Sequence, residues 1–531
     1  MTATTGARTL LRLALRRDRI VIPVWAILLT LLVASTAASY EGLYPTASER
    51  RDFVGTIDGN ASLLTFYGPA FGDSIGALTA WRLGAVGAVM IGIMSILLVI
   101  RHTRAEEEDG RLELIGAGVV GRHAPLTVGI AIALVADLAV ASLVTLTMLG
   151  KGVGGALAYG LGWMAVGAFF TAVAAVAAQV TENARTARGI AIGVLGAAFL
   201  LRAAGDAGGD EGPAWLSWLS PIGWFQHLRP YSDERWWVLA LPVAGAVLLA
   251  GLAYSLVERR DLGAGLLPPR SGPAEAAPSL RTPLALAWRL QRGSLAAWTA
   301  GFAAYGLIIG GVIEGVGDIV GDSEGTRETI TKLGGASDLT EAFVSTAFGL
   351  MAIVASIYAV QAVLRLRGEE TGQRAEPLLA CSVGRLRWSA GHALIALAGT
   401  ALLMAVAGVT TGLTYGATAG DLDGRLADTL SAALVQIPAA WVPAGIALAL
   451  FGLAPRATAG VWAAVAAFLL LGQLGPLLGL DQWAMDLSPF THVPKLPGAA
   501  MTAAPMVWLA AVTVAAAAAG YHGFRRRDVA A

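Results

Sequence analysis

The chain repeats a charged segment of nineteen residues, and each copy lies between long apolar runs. The first copy covers residues 104–122 and the second covers 367–385, at a constant offset of 263 positions. Nine positions are identical in the two copies: Arg104, Glu106, Glu107, Arg111, Glu113, Ala117, Val120, Gly121 and Arg122 in the first, and Arg367, Glu369, Glu370, Arg374, Glu376, Ala380, Val383, Gly384 and Arg385 in the second. This match indicates a chain built from two related halves, each with one charged loop.

The apolar runs predict a membrane protein. Hydrophobic residues form 56% of the chain and charged residues only 14%, a balance typical of polytopic membrane proteins. We place twelve spans in two sets of six, near residues 20–39, 83–101, 125–149, 155–180, 187–204 and 236–257, and near 295–313, 342–364, 389–415, 430–453, 457–479 and 503–522. The predicted fold is an all-α polytopic membrane protein with about 12 transmembrane helices in two parallel six-helix repeats.

A stretch rich in Pro, Ala and Gly separates the halves. Its composition favours an extended or flexible cytoplasmic linker at 258–283, between a first six-span half at 1–257 and a second at 284–531. Each half begins with an amphipathic segment expected to lie at the inner headgroups. Its arginines at helical spacing are Arg8, Arg12, Arg16 and Arg19 in the first half, and Arg281, Arg289 and Arg292 in the second.

The distribution of basic residues predicts the orientation. With the N-terminus inside, the inner segments carry 26 of the 37 Lys and Arg residues, as the positive-inside rule requires. Both charged loops and both termini are then cytoplasmic. An even number of spans in each half gives the halves the same orientation, so the duplication is predicted to be parallel rather than inverted.

Sequence patterns for bound cofactors and catalysis are missing. The only Gly-Lys pair, Gly150-Lys151, is not followed by Ser or Thr, so the chain has no Walker A loop for ATP. The six histidines show no metal-ligand spacing, Cys381 is the only cysteine, and no Gly-x-Ser-x-Gly elbow is present. We predict no catalytic, cofactor-binding or metal-binding residue in this chain, and the zero net charge gives no indication of nucleic-acid binding.

Two six-span halves, each with a lead-in helix and a Glu-rich, Gly-Arg-ended loop between spans two and three, resemble the fused permease subunits of ATP-binding cassette type-2 exporters. The closest resemblance is to the actinobacterial exporters of polyketide antibiotics, the tetronasin-resistance type. The resemblance implies two copies of a separate ATPase subunit, which bind ATP and Mg, and a small lipophilic or amphipathic substrate. It also implies a multi-pass protein of the cell membrane and, in each loop, a coupling helix for one ATPase subunit.

The residues assigned to ATPase coupling are the matched ones: Glu106, Glu107, Arg111, Glu113, Gly121 and Arg122 in the first loop, and Glu369, Glu370, Arg374, Glu376, Gly384 and Arg385 in the second. Their mixed charges are suited to a complementary groove on a partner. We expect each Gly-Arg to end a helix, and Pro377 to shorten or bend the second coupling helix. The alternative interpretation is a solvated loop that only fixes topology.

Asp137 lies in the middle of a predicted span, where an ionised carboxylate is costly unless protein or water surrounds it. We consider a substrate or proton role and a structural hydrogen bond to a neighbouring helix. The first supports an alternative function, a proton-coupled secondary drug transporter, although neither loop has the Asp-Arg pair typical of major-facilitator loops. A membrane-embedded enzyme using outer acids such as Asp52, Asp58 and Asp73 is a third class. The Trp- and Pro-rich outer loops, 205–235 and 479–500, are predicted to form short helices at the outer leaflet.

Overall fold

A computed structural model of the chain describes residues 2–58, 61–116, 118–207, 213–267, 274–313, 339–478 and 481–528. All regular elements in these ranges are helices. The chain divides into two compact units, Met1–Gly272 and Pro273–Ala531, and this boundary falls inside the predicted linker at 258–283. The acidic residues between the first two predicted spans of the second half, Glu314, Asp318, Asp322 and Glu324, which the sequence places on the same side as Asp52 and Asp73 and which show no catalytic pattern, lie outside the described residues.

The first unit contains thirteen α-helices among the described residues. They are α1 Ala7–Arg17, α2 Val21–Leu43, α3 Ala47–Asp58, α4 Ala61–Tyr67, α5 Ile75–His102, α6 Arg104–Glu108, α7 Arg111–Gly116, α8 Ala124–Met148, α9 Val153–Val180, α10 Ala184–Asp206, α11 Trp215–Trp218, α12 Pro221–Leu228 and α13 Ala240–Glu258. Short 3-10 turns at Leu149–Lys151 and Trp236–Leu239 extend the ends of α8 and α13. The six spans are α2, α5, α8, α9, α10 and α13.

The second unit repeats this order. Its described α-helices are α14 Pro283–Ile313, α15 Leu339–Thr371, α16 Ala375–Leu379, α17 Arg385–Ala419, α18 Leu422–Leu434, α19 Ile437–Leu453, α20 Gly460–Leu478, α21 Gln482–Met485 and α22 Ala503–Arg526. The spans are α14, α15, α17, the broken pair α18 and α19, α20 and α22. Further 3-10 turns are Pro278–Leu280, Pro455–Ala457 and Pro489–His492.

Eleven helices in the described ranges are long and apolar enough to cross a bilayer. Each corresponds to one of the twelve predicted spans, including the glycine-rich fifth one, which forms the 23-residue helix α10. The remaining prediction, 457–479, corresponds to α20, whose apolar part Gly460–Gly472 is shorter. The all-α, polytopic fold class is confirmed.

The lead-in segments differ between the units. In the first unit α1 ends at Arg17 and the span starts at Val21, whereas in the second unit α14 runs without a break from Pro283 through the span. The break occurs at Asp18, whose buried carboxylate pairs with Arg101 and His102 at the end of the second span. The second unit has Gln291 at the matching position, and that residue favours a continuous helix.

Small residues allow the spans to pack closely. A Cβ added at Gly452 would lie 1.8 Å from the carbonyl oxygen of Gly520, and one added at Gly520 would lie 2.2 Å from the carbonyl oxygen of Leu448. These contacts join α19 and α22, the fourth and sixth spans of the second unit. Close backbone approach of this kind replaces the hydrophobic drive that membrane helices lack.

Short helices are present in both Trp- and Pro-rich loops that the sequence predicts to be outer. The hydroxyl of Ser220 donates a hydrogen bond of 2.7 Å to the carbonyl of Ala198 in α10, and that of Ser488 donates one of 3.2 Å to Phe468 in α20. The repeated Ser-Pro pairs therefore attach these helices to the fifth span of their own unit. Helices α3 and α4, between the first two spans, were not predicted.

Candidate coupling loops

The first loop joins the second and third spans through two short helices. Thr103, with φ −122° and ψ −89°, ends α5 and separates it from α6. Gly110 then adopts φ +70°, a left-handed conformation that glycine takes without a Cβ penalty, and α7 starts at Arg111. The first loop therefore consists of two short helices joined by a tight turn at Gly110.

The second loop reaches a similar turn by a different route. The second span α15 continues to Thr371, and Gln373 takes the left-handed conformation at φ +56°, at the position that matches Gly110. The backbone N–H groups of Gly110 and Gln373 each donate a 3.0 Å hydrogen bond to the matched carbonyls of Glu107 and Glu370. Pro377 lies in the first turn of α16, where a proline is tolerated, and this helix is one residue shorter than α7.

Four matched side chains are exposed. Arg111 and Glu113 in α7 correspond to Arg374 and Glu376 at the start of α16, and all four are open to solvent. Arg111 still forms ion pairs with Glu106 at 3.0 Å and with Asp109 at 3.1 Å. Each loop therefore presents one cation and one carboxylate at the same repeat positions.

Glu106 and Glu369 form pairs within the protein. Glu106 is also bonded by Arg17 from the end of the lead-in helix. Glu369 is buried and lies 3.3 Å from Arg365 on its own helix and 3.9 Å from Arg374. These two carboxylates connect each loop to neighbouring helical segments.

Glu107 and Glu370 point away from solvent. Their side chains are 7% and 1% exposed, and each forms ion pairs with two arginines of its own unit. The sequence predicts that these carboxylates face a partner, but the structure directs them into their own unit. Their coupling role remains a prediction, and within this geometry it is one of holding the loop in place.

The Gly-Arg pairs precede a helix, so the prediction that each ends one was wrong. Gly384 caps α17, which starts at Arg385, and Gly121 comes shortly before α8. A Cβ at Gly121 would lie 2.3 Å from the carbonyl oxygen of Ala3, so glycine allows the N-terminal segment to pack there. Arg122 and Arg385 donate matched hydrogen bonds, both 2.7 Å, to the backbone carbonyls of Arg260 and Arg527.

Asp137 is enclosed between helices. Its side chain is fully buried, and one carboxylate oxygen accepts a hydrogen bond of 2.8 Å from the hydroxyl of Ser95 in α5. A Cβ added at Gly167 in α9 would lie 2.6 Å from the carboxylate carbon, so α9 also passes close to this group. This is the geometry of a hydrogen bond between helices, whereas a substrate or proton role remains a prediction.

The described part of the chain contains no group of three or more His, Cys, Asp or Glu side chains placed to hold a metal ion.

A family model described as "Multidrug efflux system permease Rv1217c, C-terminal domain" matches residues 280–525. The chain is 46% identical over 528 residues to the multidrug efflux system permease protein Rv1217c of Mycobacterium tuberculosis, covering 99% of this chain and 95% of that protein. The chain belongs to this family of efflux permeases.

Two functional candidates of this permease were missed in the sequence. Arg260 and Arg527 follow the sixth spans and contact both ends of the charged loops. The available signal was a second repeat, Arg259-Arg260-Asp261 and Arg526-Arg527-Asp528, at an offset of 267. The first copy of this repeat lies at the start of the segment 258–283, whose Pro-, Ala- and Gly-rich composition predicts a linker and obscures the match with the C-terminus.

Proposed function

We propose that this permease is the membrane subunit of an ATP-driven exporter and that it binds two copies of a separate ATPase subunit, one at each charged loop. The observation that carries the proposal is the exposed pair in each loop, Arg111 with Glu113 and Arg374 with Glu376, at matched positions of a duplicated chain. A loop that only fixed topology would require positive charge but no exposed carboxylate at a repeated spacing.

The energy source belongs to the partner. The sequence has no Walker A loop, so ATP and its Mg ion bind to the ATPase subunits in this proposal. Mixed charges on a short helix suit a partner groove, because complementary charges fix the register of an interface as well as its association rate. The relative named a multidrug efflux system permease supports export as the direction of transport.

An apolar groove in the first unit supports a lipophilic or amphipathic substrate. The groove has a volume of about 370 Å³ and lies between α5 and α10. Its lining residues are Phe66, Val86, Val89, Met90, Ile93, Ile192, Leu195, Gly196 and Phe199. Such a surface favours compounds that partition into the bilayer. A narrower assignment to polyketide antibiotics of the tetronasin type forms part of the proposal and rests on the sequence resemblance alone.

The proposed setting is the cell membrane, with both termini and both loops in the cytoplasm. Eleven apolar helices in the described ranges support a multi-pass protein. The orientation is supported by the excess of Lys and Arg on the proposed inner side, 26 of 37 residues.

The test is affinity copurification of the tagged full-length chain from its native membrane. The wild type is expected to bring down an ATPase subunit, and the double variant Glu113→Arg/Glu376→Arg is expected to lose it, because both exposed carboxylates then repel their partner charges. Glu275→Arg is the matched control, since Glu275 is an exposed carboxylate in the linker on the same proposed side. Each single reversal should leave one ATPase subunit per permease.

The opposite results separate the alternatives. Wild-type protein that purifies from gentle detergent without an ATPase would contradict the proposal and favour proton-coupled transport. An ATPase that copurifies equally well with a correctly folded double variant would place the contact surface elsewhere on the permease.

A further inference from the structure

Each sixth span ends in a cluster of two arginines around one loop carboxylate whose side chain is buried. The first cluster consists of Arg104, Glu107 and Arg260, and the second consists of Arg367, Glu370 and Arg527. Both lie at the inner ends of the spans of their own unit. The loop residues repeat at an offset of 263 and the sixth-span arginines at 267, so both clusters descend from one arrangement in the ancestral half.

In the first cluster the guanidinium of Arg260 faces both oxygens of Glu107. One of its N–H groups donates to Oε2 at 2.8 Å and the other nitrogen donates to Oε1. Arg104 donates to Oε2 as well, at 2.7 Å. A forked arginine contact fixes distance and orientation together, which a lysine cannot do.

The second cluster has the same bonding pattern. Arg527 donates to both oxygens of Glu370, with the contact to Oε2 at 2.9 Å, and Arg367 donates to that same oxygen at 3.1 Å. The carboxylate is 1% exposed. Because a buried charge is costly unless it is paired, this geometry is strongly specified in both units.

The far end of each loop is attached to the same sixth-span residue. Arg122 donates 2.7 Å to the carbonyl oxygen of Arg260, and Arg385 donates 2.7 Å to that of Arg527. Each loop is therefore bonded twice to the arginine that follows the sixth span. The start of the loop is bonded through its glutamate, and the end of the loop is bonded through the arginine of the Gly-Arg pair. A shift of either end of the loop therefore moves Arg260 or Arg527 as well.

The fourth span joins each cluster by different chemistry. In the first unit, Arg104 donates to the carbonyl of Ala178 at 2.8 and 2.6 Å, and Arg260 donates 2.7 Å to the side chain of Gln179. In the second unit the guanidinium of Arg527 lies 4.9 Å from the ring centre of Phe451, near the end of α19. Conservation of the contact with a change in its chemistry indicates that the connection itself matters.

We propose that Arg260 and Arg527 are positioning residues that join each charged loop to the fourth and sixth spans as one mechanical unit. This inference rests on the proposed function: displacement of a loop by its ATPase subunit is passed to these two spans instead of being absorbed within the loop. Glu107 and Glu370 then transmit force inside the permease, while the exposed residues of the same loops contact the ATPase.

The first experiment measures hydrogen–deuterium exchange of the full-length permease in lipid nanodiscs without any ATPase. Arg260→Ala should speed amide exchange at 104–116 by about tenfold, because local opening of the loop no longer requires the forked Arg260–Glu107 contact to break. Exchange at 367–379 should stay unchanged. Arg527→Ala should do the reverse. Arg259→Ala and Arg526→Ala, at the exposed neighbours, are the matched controls. Since each variant affects one half, the other half reports whether the protein remains folded.

The second experiment uses the permease with its ATPase subunits. Arg260→Ala should retain the bound ATPase but lower permease-stimulated ATP hydrolysis and transport of the lipophilic dye rhodamine 6G by roughly tenfold. Arg260→Lys should recover only part of this loss, because lysine restores charge without the fork. The charge-exchanged double variant, Glu107→Arg with Arg260→Glu, should show more ATP hydrolysis and more dye transport than either single variant.

Several outcomes would overturn the inference. Unchanged exchange at 104–116 in Arg260→Ala would show that the cluster does not hold the loop. A loosened loop with normal stimulation would show that the connection is not used for coupling, and loss of bound ATPase together with faster exchange in both halves would show a purely structural role. If wild-type permease binds no ATPase, the proposed function fails, whereas the exchange result still decides whether the clusters hold the loops.

Discussion

At the scale of single residues, the repeated sequence identified charges but not the direction in which they point. Glu107 and Glu113 are equally well matched in the second half, yet one is buried in an arginine cluster and the other is exposed. The difference arises because Arg260, more than a hundred residues away, reaches the loop. Spacing within a loop carries no information about a partner at the end of the sixth span.

The buried acid in the third span can be tested separately. Asp137→Asn preserves the volume of the side chain and an acceptor oxygen for the Ser95 hydroxyl. We expect transport of rhodamine 6G to stay within about twofold of wild type from roughly pH 6 to pH 8, since no proton is required from this site. Asp137→Leu removes the acceptor and presses on Gly167, which should cost about 1–3 kcal/mol of stability in thermal unfolding.

The opposite result for the asparagine variant has a clear meaning. If Asp137→Asn is folded and inserted but does not transport the dye, the carboxylate takes part in transport and the proton-coupled alternative gains support. Thr400→Val, at the repeat position of the second unit, is a useful comparison because its hydroxyl bonds only to the carbonyl of Ala396 on its own helix among the described contacts.

At the scale of helices, hydropathy predicted the positions of the spans along the chain, but it did not predict where a helix breaks next to a span. Span order followed from apolar runs of sufficient length, because every backbone group in a bilayer must be satisfied within its own helix. The break between α1 and α2 coincides with the ion pairs of Asp18 with Arg101 and His102. The matching Gln291 forms neutral hydrogen bonds with Ala362 and His392 within a continuous α14. Helix α3 escaped prediction because its sequence is neither strongly apolar nor strongly amphipathic, and α4 because its seven residues are too few to show a helical period.

The groove between α5 and α10 provides a test at this scale. Gly196 lines it, and a Cβ added there would meet nothing within 4 Å. Gly196→Phe should therefore fill the groove without disturbing the fold and should lower transport of rhodamine 6G by roughly tenfold, equivalent to about 1.4 kcal/mol. Gly193→Phe is the matched control, because this glycine lies on the same helix, is equally open and does not line the groove.

Dye-stimulated ATP hydrolysis and dye efflux from membrane vesicles would provide the measurement. Equal loss in both variants would indicate general damage to α10, and full transport by a well-folded Gly196→Phe protein would remove the groove from the substrate route.

At the scale of the whole molecule, duplication predicted the division into two units and their common order of elements. The boundary between the two compact units, after Gly272, falls within residues 258–283, and the role of that segment as a linker stays a prediction. The second unit is not a copy in detail, since its loop lacks the break after the second span and makes its turn with glutamine in place of glycine. The two halves form the same turn with different residues, so the repeat predicted the common order of helices but not these local differences.

The orientation of that frame can be measured with the chain's own cysteine. Cys381 is the only cysteine in the sequence and is exposed in the second loop, and its repeat position is Gly118, also exposed. A membrane-impermeant maleimide should label wild-type protein in inside-out vesicles and not in intact cells, because the loop is proposed to be cytoplasmic. Gly118→Cys in a Cys381→Ala background should behave identically, since a parallel duplication places both loops on one side.

Labelling of the two cysteines from opposite sides would establish an inverted repeat, and labelling of both from outside would reverse the proposed topology. Added ATPase subunits should slow labelling at both positions, which would place the partner at the two loops in a single experiment.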